Sequence, residues 1–309
     1  MNYMNKPEVQ ESSSVQPQRK CSACSAKASS EGANASKSEK RENKGTCGAC
    51  ASNLPYVYAL GQIEARFPSK SIEKEYVQAI GRSKTADPTK LYGLYSVLSE
   101  PQNQYLARKL SWILTVEGVP IYILLPTSPE DIDTLMKATL PSDCPLDRSV
   151  IMGRKGPAAS LDMCGLEIPM VLIDHIFHHN HSAFVKSILS ESISKEKFKA
   201  ATEDMSRRMM QMAHNAGATD KHRALNYLAV RYSPIYARVA EELERNFLLT
   251  SVEAIPSRLS NNCKIVSVIF SFTNKETSVV EKYFIRVDVT EEFPFIVTEV
   301  WQCNGFSVI

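Results

Sequence analysis

Between Met1 and Ser52 the only aromatic residue is Tyr3, and Ser, Ala, Lys, Glu, Asn and Gln dominate. Too little apolar surface is present there to offset the entropy of ordering a backbone, so a disordered tail is expected over 1–52. A core-forming pattern begins only at Leu54–Arg82, LPYVYALGQIEARFPSKSIEKEYVQAIGR. Tyr56, Tyr58 and Leu60 alternate with Val57 and Ala59, the period of a half-buried strand, and Gly61 closes it. Ile72, Tyr76, Val77 and Ile80 then recur at helical spacing behind a Ser69 or Ser71 cap.

The rest of the chain continues both periods. A short helix is expected within 88–99, and ILTV and IYILLP flank a Glu117-Gly118 turn as a hairpin. Ser128-Pro129 with Glu130 and Asp131 starts a helix, and Ser149–Arg154 and Ile168–Phe177 read as a strand pair. Phe198, Met205, Met209 and Met212 mark the core face of a long helix that Gly217 ends. Thr219-Asp220 caps a helix through Leu225 and Leu228, with Arg223 and Asn226 as its polar residues, and Ser233-Pro234 opens another. From about Thr250 the period becomes two, giving a three-stranded meander ending in Phe295–Trp301. The fold class expected is α+β, antiparallel sheets with helices packed on one face, behind a disordered Cys-containing tail. Its divisions fall at 1–52, 53–181 and 182–309.

With 36 basic and 34 acidic residues the formal charge is +2, too small a field to draw the chain onto nucleic acid or anionic lipid. No apolar run reaches the roughly 18–20 residues of a membrane span and no secretory h-region opens the sequence, so a cytoplasmic protein is expected. The eight cysteines are read as reduced thiols or metal ligands; Cys263 and Cys303 are placed near the ends of neighbouring strands. Self-association is left open by the sequence.

Two clusters carry possible chemistry. Cys21/Cys24 (CSAC) and Cys47/Cys50 (CGAC) form two Cys-x-x-Cys pairs that could complete a tetrahedral zinc site. The residues between them hold no Val, Ile, Leu or aromatic residue, so a Cys-containing linker is the plain alternative. In DHIFHHNHS, a strand continuing to His181 would set His179 and His181 on one face about 7 Å apart, a spacing two ligands of one metal can use. His175 would share that face farther along, and Asp174 would point to the other. A metal-dependent peptide hydrolase using the His175–His181 cluster is one functional reading; a polar strand end is the simpler one, since spacing names no third ligand. No P-loop, dinucleotide fingerprint or nucleophile elbow is present.

Val57–Arg82, together with HRALNYLAVRYSPIYA (His222–Ala237) and EKYFIRVDVTEEFPFIVT (Glu281–Thr298), resembles the C-terminal domain of unknown function of cyanobactin (patellamide-type) maturation proteases and macrocyclases. The resemblance spans about 54–298. Only about 50 low-complexity residues precede it, so the subtilisin-like protease domain and its Asp, His and Ser triad are not expected and no catalytic residue carries over. It implies a non-catalytic accessory domain in the biosynthesis of ribosomally made, modified peptides. Its expected partners are a precursor peptide or a maturation protease.

Overall fold

A computed structural model describes residues 54–82, 93–142, 144–188, 195–210, 215–258 and 263–303. The Cys21, Cys24, Cys47 and Cys50 set, with the zinc reading it carries, lies outside the described residues, as do Met212 and His214.

In chain order the elements are β1 (Tyr56–Arg66), α1 (Lys70–Arg82), α2 (Gly93–Leu98), α3 (Gln104–Ala107), β2 (Ser111–Val116), β3 (Val119–Leu125), α4 (Pro129–Ala138), β4 (Arg148–Ala158) and β5 (Pro169–His179). They continue with α5 (His181–Ile188), α6 (Lys195–Met210), α7 (Asp220–Arg231), α8 (Ser233–Glu244), β6 (Phe247–Pro256), β7 (Ile265–Asn274), β8 (Val280–Asp288) and β9 (Phe295–Gln302). The α+β expectation holds.

The first five strands do more than pair. They close into a barrel of order β1-β2-β3-β5-β4, in which only β3 and β5 run parallel. With α4 inserted between β3 and β4, this is the connectivity of an OB barrel. Closure requires β1 to change partners: Tyr56–Gly61 pair with β4 and Gln62–Arg66 with β2. Gly61 sits at the change, where a Cβ would stand 2.4 Å from the Thr115 carbonyl oxygen, so only glycine lets the strands approach. Inward residues of β1, among them Val57, Ala59 and Ile63, join Trp112, Leu114, Tyr122, Leu124, Ile151, Val171 and Ile173 in the barrel core. Leu135 and Met136 of α4 also join that core. That helix starts on a capping box, Ser128 Oγ accepting the Asp131 N–H while the Asp131 carboxylate accepts the Ser128 N–H.

β6 to β9 form a second, antiparallel sheet in simple order, one strand more than the meander expected. β6 was hidden because a bulge between Leu249 and Ser251 breaks its alternation. Cys263 precedes β7 and Cys303 follows β9, and β8 lies between these two strands; Cys303 bonds Lys282 near the far end of the sheet, so the two thiols are not neighbours.

α7 joins barrel to sheet, packing on β1 as well as on β6 and β7. Such a helix is buried almost all round, and Ala224, Leu225, Leu228 and Ala229 are fully inaccessible. Arg223 and Asn226, the two residues that periodicity assigns to a polar side, are buried as well. Asn226 Nδ2 donates to the Tyr58 carbonyl at 2.8 Å, and the Arg223 guanidinium donates to the carbonyls of Val289, Glu291 and Glu292. On the barrel's outer side Tyr58, Leu60, Val150 and Met152 belong to the same core as α6 to α8 and the second sheet, and Met205 and Met209 are fully buried in it.

Candidate functional site: an aromatic cleft beside a buried histidine pair

β5 determines where every histidine of the DHIFHHNHS stretch goes. Its pairing with β4 shifts between Met152↔His175 and Gly153↔Ile173, which leaves Asp174 as an extra residue. Before this bulge Val171 and Ile173 face the barrel interior; after it His175, Phe177 and His179 take the outward face and Ile176 packs against the barrel core. A bulge re-aims side chains in this way. The close approach is possible because residue 153 is glycine: a Cβ there would lie 2.0 Å from the Leu172 carbonyl oxygen. The extra residue is used, since Asp174 forms a two-pronged pair with Arg154 at 2.9 and 3.2 Å.

The strand ends at His179 and does not continue to His181. Asn180 Oδ1 accepts the Ala183 N–H at 2.7 Å and Asp147 Oδ1 accepts the His181 N–H at 2.8 Å, two acceptors that start α5. His179 and His181 nevertheless meet, by a turn and not by strand alternation, with ring centroids 6.2 Å apart. Both are buried, at 6% and 2% exposure. His179 Nε2 and both His181 ring nitrogens have no hydrogen-bond partner. His175 and His178 go elsewhere: His175 lines a cleft with Phe293, and His178 lines a second, more polar cleft with Ser142, Asp147 and Lys186. Asp147 is already engaged by His181 and Ser142. Among the described residues no group of three His, Cys, Asp or Glu side chains is arranged to hold a metal ion.

Burial, reinforced by His181, pushes the His179 imidazole down to about 4, and burial lowers His181 as well. A neutral imidazole in the folded state against one of ordinary basicity in the unfolded state gives stability that is complete above pH 6.5 and is lost as pH falls from 6.5 towards 4. Unfolding free energy measured by urea titration should therefore fall over this window, with His179 contributing about 3 kcal/mol. His179→Asn should remove that share of the slope, and an unchanged pH profile would contradict the assignment.

The cleft bordered by His175 has a volume of about 590 Å³, within the range of small-ligand sites. Tyr58, Met152, Ile176 and Phe177 of the barrel form one side, Tyr227 and Arg231 of α7 another, and Phe293 and Pro294, just before β9, the third. Tyr58 and Tyr227 meet edge to face at 6.2 Å. Arg231 lies over the Phe177 ring at 4.3 Å, and His175 packs on Phe293 at 5.2 Å. The Tyr58 hydroxyl is buried with no acceptor for its proton among the described residues; burial pushes its phenol up to about 12, the charge and hydrogen bonding of Arg231 opposing, so it stays protonated at ordinary pH. Tyr227 and Arg231 are four residues apart and share one helix face. That spacing was visible in the sequence, but nothing there showed which strand the face would meet.

The model of the PatG domain family matches residues 56–275, most of the described chain. The chain belongs to the PatG-domain family. Membership agrees with the resemblance to the C-terminal domain of cyanobactin maturation proteases and implies a role in cyanobactin-type biosynthesis. A solved structure described as "PatG Domain of Unknown Function" is 22% identical and superposes with a TM-score of 0.67, covering 81% of this chain and 100% of that one. At this identity it shows a shared fold. No curated protein matches. The PatG-domain match begins at β1 and ends just past β7, so it takes in the barrel, α5 to α8 and the first two strands of the second sheet. Among the described residues no helix of the domain is long and apolar enough to cross a membrane.

Proposed function

We propose that this PatG-family domain is a non-catalytic binding module of cytoplasmic peptide biosynthesis, and that the cleft between barrel, α7 and the β9 approach receives the precursor peptide. The observation that carries the reading is the cleft itself: aromatic walls from the barrel, α7 and the segment before β9, an exposed arginine, and a buried hydroxyl whose proton has no acceptor among the described residues. Aromatic and arginine side chains in one concavity are the groups that dominate recognition energetics. Calorimetric titration of the full chain with a cyanobactin-type precursor peptide should give saturable binding. Tyr227→Ala, which removes half-exposed cleft wall, should weaken that binding about tenfold or more. Equal affinity in the variant would place the peptide elsewhere.

A metal-dependent reading draws on one specific observation, the three unpartnered imidazole nitrogens of His179 and His181. It needs a further ligand from beyond the described residues. Elemental analysis tests it: stoichiometric metal that disappears in His181→Gln would support it, and a metal-free full chain would end it.

A further inference from the structure

We infer that the cleft recognises a carboxylate of a linear peptide, set beside an apolar or aromatic group of that peptide. The inference rests on the proposed peptide-binding role and adds the chemistry of the group bound. Arg231 packs one face of its guanidinium on Phe177 at 4.3 Å. A guanidinium held by its face keeps its in-plane N–H groups available, and those form the fork that matches a carboxylate's two oxygens. None of the residues lining the cleft is acidic. Of the acids nearby, Asp174 is bound to Arg154, and Glu292 lies among Asp174, His175 and Arg154, beyond the lining.

The second donor is Tyr58. Its hydroxyl is buried in the cleft lining beside Arg231, which can only donate to it, so its own proton has no acceptor among the described residues. Leaving a buried hydroxyl unbonded carries a desolvation cost that a ligand acceptor relieves. One O–H and one guanidinium fork converging on a space walled by Tyr227, His175 and Phe293 therefore select an anionic acceptor attached to an apolar group. Such a carboxylate has two sources in a peptide, the C-terminus and an acidic side chain.

Three acetylated tripeptides separate the outcomes: one ending in phenylalanine as the free acid, the same as the amide, and an amide-capped version ending in glutamate. Binding to the full chain is measured by calorimetry or ligand-observed NMR, with the precursor peptide titrated in parallel. The free acid should bind at least about tenfold more tightly than its amide. Arg231→Met should erase the difference, and Tyr58→Phe should reduce it several-fold, with both variants melting as the wild type does. Tight binding of the glutamate peptide would keep the carboxylate and assign it to a side chain. Equal binding of acid and amide would overturn the carboxylate inference while leaving peptide binding in place. Failure of every tripeptide and of the precursor peptide would overturn both.

Discussion

Replacing Gly217 by alanine is expected to lower stability by about 3–5 kcal/mol, a large share of what a domain of this size possesses. Two independent causes act at this position. Its φ of +68° lies in the left-handed region that a side chain disfavours. A Cβ would also stand 2.3 Å from the Tyr58 carbonyl oxygen and 2.6 Å from Ala59 Cα, both backbone atoms of a barrel strand that cannot step aside. The contact is close because it is bonded: the Tyr58 N–H donates to the Gly217 carbonyl at 2.9 Å. Asn215 Oδ1 accepts the Gly217 N–H, and Asn215 and Asn226 exchange two side-chain hydrogen bonds. This buried network fastens the turn before α7 to β1, and a partly satisfied version of it costs more than its absence would. Urea unfolding reads the effect as a fall in midpoint; a change below about 1 kcal/mol would mean that β1 and the turn are not in contact as described.

The second large effect is expected at Arg223. Burial lowers its pKa, so the fold bears a cost for holding this cation. Three backbone carbonyls compensate, those of Val289, Glu291 and Glu292, and the guanidinium also lies 5.6 Å from the Tyr56 ring centroid. Replacing a buried ion pair by apolar groups can be neutral because both charges leave together. Here only the donor leaves, and Arg223→Met strands the carbonyls. A loss of about 2–4 kcal/mol follows, together with faster amide exchange across 289–294. Because Phe293 and Pro294 form one wall of the cleft, peptide affinity should drop with it. Unaltered exchange in 289–294 would show that the segment is held by something else. Lysine should not rescue, since a single ammonium cannot span carbonyls that a planar fork reaches.

These two residues also mark how far the sequence could be read. Periodicity located β1, α1, the β2–β3 hairpin, α4 and the later helices, because alternation and helical spacing are enough to mark an element. It could not say which residues stay wet where an element is covered on both sides. α7 is such an element, so Arg223 and Asn226 looked like a solvated stripe when they are its buried anchors. Local irregularity was the other obstacle. The bulge at Asp174 and the helix start at Asn180 together redirect four histidines, and neither follows from the alternation of apolar residues. Barrel closure was illegible for a related reason: it depends on which strands meet across long separations, and the only local sign is Gly61, which also reads as a strand end. The cleft inherits all of this. Tyr58, Phe177, Tyr227, Arg231 and Phe293 come from four distant stretches, and only the packing of α7 between barrel and sheet gathers them.

Hydrogen–deuterium exchange of the full chain, with and without saturating precursor peptide, tests the central claim most directly. Binding in the cleft predicts protection concentrated in three of the segments that line it, 174–177, 227–231 and 291–294, with the outer strands of the second sheet unchanged. Protection that spares all three segments, or no protection at saturating peptide, would contradict the assignment of this cleft as the peptide site.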